Sequence, residues 1–211
     1  MAQPITVLVV EHQPLIRIGI RAVLESDENH RFEIVGEAAT AAEGFTFFIT
    51  RRPDVVLLAL RMPDFCAIDD LSAYFEKDPN ARLIVLAERA GDSEISRALK
   101  LGAMGYVTKD LQTEELINAV TTVAAGRKFI PQNIAGVLSE NIGSEALTPS
   151  ETKVLGMLVG GMSNKEIAFA LDISQNTVKT HVKNIFDKLG VSDRTTAATT
   201  AIRRGLVRVD L

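Results

Sequence analysis

The sequence predicts two folded parts of different class. The first is an α/β domain on a doubly wound, five-stranded parallel sheet over residues 1–126, and the second is an all-α domain of four helices over 147–211, with a linker over 127–146. Three observations carry this. The length of 211 residues suits one large or two small domains. Up to about residue 126, short β-branched apolar runs alternate with longer stretches of helical period, the pattern of parallel strands joined by crossover helices. Beyond Gly126 the alternation stops and only helical patterning returns.

The first strand is the run 5–10, ITVLVV. Pro14 then opens a helix over 14–26, because the first turn of a helix has no partner for the amide hydrogen that proline lacks. Strand 33–37 and helix 41–52 follow, then strand 54–60 with helix 68–77, strand 83–87 with helix 92–101, and strand 104–108 with helix 113–125. Gly126 ends the fifth helix, where a left-handed cap carries no Cβ penalty. The apolar residues of the first helix (Leu15, Ile18, Val23) and of the fifth (Leu116, Ile117, Val120) are expected in the core. In the linker, Pro131, Gly136 and Gly143 interrupt any regular pattern, with room for a short helix at 134–138.

The starts of the later helices are written in their capping residues. Thr148-Pro149-Ser150-Glu151 and Ser163-Asn164-Lys165-Glu166 both fit the capping box, in which hydroxyl and carboxylate reciprocally satisfy free backbone donors. Gly160-Gly161 separates those two helices; a third follows Ser174 to about residue 189, and a fourth follows Ser192 to about residue 204.

Composition narrows the class. With 46% hydrophobic and 24% charged residues, the chain is neither disordered, collagen-like nor disulfide-dense. The single cysteine, Cys66, allows no internal disulfide, which fits a reducing compartment. The longest apolar run, 55–60, is six residues, whereas a membrane helix needs about 20. A cytoplasmic protein without a membrane partner is expected. The net charge of -4 argues at first against a nucleic-acid partner. Segmentation removes the objection: up to Gly143 there are 14 Lys+Arg against 20 Asp+Glu, and after it 9 against 7, so the helical part is mildly basic.

On the third C-terminal helix, Val178, Val182, Ile185 and Leu189 fall in one narrow stripe that faces a core. The opposite arc holds Asn176, Lys179, Thr180, Lys183 and Asn184, amide, hydroxyl and ammonium groups that can donate to phosphates and base edges. Taken alone, such an arc is also what any solvated helix face looks like. Its context is a short capped helix, a brief Leu171-Asp172-Ile173 turn and then this helix, which together make a helix-turn-helix.

The stretches LTPSETKVL at 147–155 and GMSNKEIAFALDISQNTVKTHVKNIFDKLGVSDR at 161–194 closely resemble the LuxR-type (NarL/FixJ) DNA-binding domain. The resemblance implies a wingless four-helix domain whose third helix enters the major groove and whose fourth helix mediates dimerisation. Carried over by position, Lys179, Thr180 and Lys183 resemble groove-facing residues, and Lys165, Ser174, Thr177 and Lys188 resemble contacts to the DNA backbone. Glu151 and Arg194 match the family pattern, and their structural reading is a cap and a buried or surface ion pair, the reading favoured for Glu151. His181, at the edge of the apolar stripe, is expected to pack or lie near phosphate, since no ligand cluster accompanies it. Ser150 stands where many members carry arginine.

The five βα units resemble the receiver domain of two-component response regulators, in frame more than in chemistry. That family places two acids after the first strand, a phosphate-accepting aspartate ending the third, a hydroxyl ending the fourth and a lysine after the fifth, with the acids holding Mg²⁺. Here Glu11 is followed by His12, and Ala59 and Ala87 occupy the acceptor and hydroxyl positions; Lys109 remains, and Tyr106 resembles the family's switching aromatic. A methyl group cannot form an acyl phosphate, so no phosphoryl chemistry at the usual site, no metal and no cofactor are expected. Asp64 reads as a turn former or a substitute acceptor, Cys66 as an inert thiol or a redox handle, and His12 as a neutral hydrogen-bonded ring or a pH sensor. Lys109 is expected to pair with Glu11, and Tyr106 to be locked in one position.

The expectation is therefore a regulator, not an enzyme, that binds double-stranded DNA as a homodimer and is controlled without phosphate at the usual site. The competing reading is an interaction module that forms a heterodimer with, or sequesters, another response regulator.

Overall fold

The computed structural model describes residues 3–62, 65–89, 91–132, 134–136 and 145–207. The chain folds as two compact units. The first is a five-stranded parallel sheet in the order β2-β1-β3-β6-β7, formed by β1 (Ile5–Val10), β2 (Phe32–Ala38), β3 (Val55–Ala59), β6 (Leu83–Ala87) and β7 (Gly105–Thr108). Its crossover helices are α1 (Pro14–Glu25), α2 (Ala41–Arg51), α3 (Ala67–Lys77), α4 (Asp92–Lys100) and α5 (Thr113–Ala124). The α/β class and the strand and helix alternation are those the sequence predicts. One element escaped prediction: β4 (Arg61–Met62) and β5 (Phe65–Cys66) pair antiparallel beyond β3. Two-residue strands are too short to leave a period in the sequence.

Every residue of β3 and β6 is buried, as expected of interior strands covered on both faces. Chain order reverses at β1, which pairs with β2 on one side and β3 on the other, and such a reversal opens a crevice beyond the carboxyl ends of the strands. The groups that follow or end those strands are Glu11, Ala59, Ala87 and Lys109. On the opposite side of β1, Gly44 lets α2 lie close to the sheet: a Cβ there would stand 2.6 Å from a methyl of Val10. The Gly126 cap is present, with φ +75°, its N–H donating to Val123 and that of Arg127 donating to Thr122.

Helix α1 corrects one expectation. Ile20 and Leu24 are buried and Ile16 and Val23 pack on the same core, but Leu15 is 82% exposed and Ile18 61% exposed. At about 100° per residue those two lie on the far side of the helix from Ile20 and Leu24, so the apolar positions of α1 outnumber what one sheet-facing side can bury. On α5, Leu116 and Val120 are core and Ile117 packs beside them. Residues 134–136 are helical, with Ile134 fully buried, while Leu138, at the end of the expected short helix, lies outside the described residues, as do Gly143 and Asp64.

The second unit comprises α6 (Pro149–Val159), α7 (Asn164–Leu171), α8 (Gln175–Leu189) and α9 (Arg194–Arg203). Both capping boxes form, Thr148 with Glu151 and Ser163 with Glu166. The last helix is capped by Asp193, one residue past the expected Ser192: one oxygen of the Asp193 carboxylate accepts the N–H of Thr196 at 2.9 Å and the other accepts its hydroxyl at 2.6 Å. Val154, Leu155, Leu158, Ile167, Val178 and Ile185 form the core, with Val182, Phe186 and Leu189 packed against it. Among the described residues no helix is long and apolar enough to cross a membrane.

Candidate nucleic-acid interface and sheet-edge cluster

The turn between α7 and α8 is set by Asp172, which caps α7 in the left-handed conformation at φ 53°, a region aspartate tolerates better than most residues. Ser174 then caps α8: its hydroxyl accepts the Thr177 N–H at 3.0 Å and lies 2.8 Å from the Thr177 hydroxyl. The Thr180 hydroxyl donates to the Asn176 carbonyl at 3.0 Å. Three hydroxyls of the expected interface are therefore engaged in holding the helix, although all three residues remain exposed. Lys179 and Lys183 are exposed on the same side of α8, with no ion pair among the described residues. Lys165 is exposed in the first turn of α7.

Lys188 is placed differently from the others. Its side chain is only 13% exposed, and its ammonium lies 3.0 Å from Glu151, 3.4 Å from Glu145 and 3.2 Å from the Ala146 carbonyl. This lysine ties the end of α8 to the start of α6. The Glu151 carboxylate is driven down to about 2, first by the Thr148 backbone N–H and then by Lys188. Among the described residues Arg194 makes no ion pair; it donates to the carbonyls of Leu158 at 2.8 Å and Met162 at 2.7 Å, in the last turn of α6 and just beyond it. His181 is half-buried beside Val182.

At the carboxyl edge of the sheet, Glu11 is fully buried. One of its oxygens lies 2.7 Å from the Lys109 ammonium; the other accepts the Gln13 N–H at 2.8 Å and stands 3.1 Å from His12 Nδ1. Lys109, 7% exposed, also lies 2.8 Å from Glu88, which accepts a second bond from the Gln13 amide at 3.0 Å. The Lys109 contact lowers the Glu88 pKa below the usual carboxylate value. Glu88 thus joins the loops after β1, β6 and β7, and sequence reasoning missed it, because a glutamate 21 positions from its partner leaves no local pattern. Ala59 and Ala87 are buried methyl groups at the ends of β3 and β6. Tyr106 is fully buried, its hydroxyl donating to the Arg89 carbonyl at 3.3 Å. Among the described residues, no three His, Cys, Asp or Glu side chains are grouped to hold a metal ion.

A parallel sheet with this crossover order, followed by a capped helix-turn-helix, defines the class, and the chain belongs to the response regulators that carry a receiver domain and a luxR-family domain. The receiver family, described as "Response regulator receiver domain", matches residues 7–121, and "Bacterial regulatory proteins, luxR family" matches residues 145–201. The chain is 35% identical over 206 residues to the transcriptional regulatory protein MctR of Rhizobium johnstonii, covering 96% of this chain and 95% of that one. It is 31% identical over 205 residues to the nitrate/nitrite response regulator protein NarL of Escherichia coli, covering 93% and 94%. Among solved structures it is similar to RcsB of Salmonella enterica serovar Typhimurium bound to promoter P1flhDC in the presence of the phosphomimetic BeF3-, with a TM-score of 0.74 and 25% identity over 94% of this chain and 98% of that one.

Proposed function

We propose that this chain is a sequence-specific transcription regulator that binds double-stranded DNA as a dimer and is controlled independently of phosphorylation at the usual receiver site. The observation that carries the reading is the outward side of α8, where Lys179 and Lys183 stand exposed one turn apart, with no ion pair among the described residues. A helix of this kind fits the major groove, with ammonium groups that donate to guanine acceptors or neutralise phosphates. Thr180 lies between them, and the exposed Lys165, Ser174 and Thr177 are read as the contacts to the DNA backbone. Lys188 drops out of the contact set, since releasing it would abandon Glu151.

Control without phosphate rests on the sheet edge. Ala59 offers no oxygen for phosphoryl transfer. Mg²⁺ prefers several oxygen ligands in near-octahedral array, and the residues present do not fit it: Glu11 is paired with an ammonium at 2.7 Å and its neighbour is His12. Activity set by abundance follows as the simplest regime, because an effector acts only through differential affinity for two states.

Titration of the chain with a DNA fragment from its own promoter region tests the reading. Binding is expected to fall steeply with salt and to weaken on Lys183→Ala. Absence of binding at any salt would overturn it.

A further inference from the structure

We propose that Glu88 is a built-in anion for Lys109, a latch that fixes the start of the loop between β6 and α4 and keeps Tyr106 covered without any anion from outside. The inference rests on the phosphate-independent reading above and names the group that makes it possible.

Three successive residues from the end of β6 are held by groups of β7 or of the residue that follows it. The Ala87 carbonyl accepts the Lys109 N–H at 2.8 Å. The Glu88 carboxylate lies 2.8 Å from the Lys109 ammonium, and the Arg89 carbonyl accepts the Tyr106 hydroxyl at 3.3 Å. The first of these continues the pairing of β6 with β7 and needs no particular side chain. The second is made by two side chains, so it can be removed without touching the sheet. The third brings Tyr106, fully buried, under the backbone that the second holds in place.

Lys109 has reason to take such a partner. An ammonium carries three donors, and at 7% exposure this one is nearly shut off from water. Glu11 meets it at 2.7 Å from the buried side. Glu88 meets it from the solvent side, where its own side chain is 56% exposed, and the same Glu88 oxygen accepts the Gln13 amide at 3.0 Å. The carboxylate therefore gathers the loops after β1, β6 and β7 on one atom. An ion pair with a half-exposed member contributes little to global stability, yet it suffices to position a loop, because loops open at far lower free energy than the sheet beneath them.

The chain has two tyrosines and no tryptophan. Tyr74 is also buried, and its hydroxyl has no hydrogen-bond partner among the described residues, so Tyr74→Phe loses no such bond and leaves Tyr106 as the only tyrosine emitter. Acrylamide quenching of tyrosine fluorescence in the full chain carrying Tyr74→Phe tests the latch. Adding Glu88→Ala is expected to raise the quenching constant about twofold or more, and Glu88→Gln, which keeps an acceptor but no charge, to raise it less, with the thermal midpoint moved by no more than a few degrees. Sodium acetate, but not sodium chloride at the same ionic strength, should return the Glu88→Ala value towards that of its parent, because a free carboxylate then reaches Lys109. Unchanged quenching in Glu88→Ala overturns the inference, as does a rise that acetate and chloride affect alike, or one that comes with collapse of the thermal midpoint. The readout involves no DNA, so a failed latch leaves DNA binding standing, and a working latch in a chain that binds no DNA would sink only the functional reading.

Discussion

Lysine is used in opposite ways in the two units. On α8, Lys179 and Lys183 are exposed and make no ion pair among the described residues, whereas at the sheet edge Lys109 is 7% exposed and held between Glu11 and Glu88. Those two cations of the helical unit are available to an outside anion. The cation of the sheet unit is already satisfied from within. Availability decides what a charge can bind, and the net charge of -4 conceals it. Lys188 sharpens the contrast, because it lies on α8 yet behaves like Lys109, with Glu151 as its buried partner.

The largest effect should come from breaking the closed cluster. Lys109→Met leaves the buried Glu11 carboxylate without its cation and should destabilise the sheet unit by about 3 kcal/mol, read by urea unfolding. An unchanged midpoint would mean that Glu11 is satisfied by its other contacts alone. Next is the open face: Lys183→Ala should weaken DNA binding about tenfold and flatten its salt dependence, whereas Lys179→Ala with Lys183→Ala should leave the thermal midpoint of the free protein within a degree or two. Loss of stability comparable to that of Lys109→Met would contradict the division between free and satisfied lysines.

Smaller is the acid response of the helical unit. Glu151 titrates at about 2 in the folded chain and near 4.5 when unfolded, so the folded state favours its ionised form. Its stabilisation is complete above the unfolded value and is lost as pH falls from about 4.5 towards 2. Far-UV circular dichroism should show Glu151→Gln abolishing that part of the acid sensitivity, with a lower stability at neutral pH; an identical acid profile in the variant would contradict the assignment.

Much of this was legible in the sequence because the signals are local. Strands 5–10 and 83–87 coincide with β1 and β6, and the capping boxes at Thr148 and Ser163 form as their spacing requires. What stayed hidden depends on distant or competing partners. Glu88 meets Lys109 only because β6 and β7 pair, so no window of sequence contains both. Leu15 and Ile18 read as core because apolarity does not reveal how wide a helix face the sheet can cover. Lys188 and Arg194 matched a family pattern by position, but which partners they reach follows from the packing of α6, which position alone does not convey. Ser192 and Asp193 are adjacent residues that both suit a cap, so the sequence left the start of the last helix open by one residue, and Asp193 takes the position.

The central claim, DNA binding that needs no phosphoryl group, is tested most directly by fluorescence anisotropy of promoter DNA with the chain before and after incubation with acetyl phosphate and Mg²⁺, followed by intact-mass measurement. The same affinity and salt slope in both samples, with no gain of about 80 Da, is the predicted result. A mass gain of that size accompanied by tighter binding would contradict it.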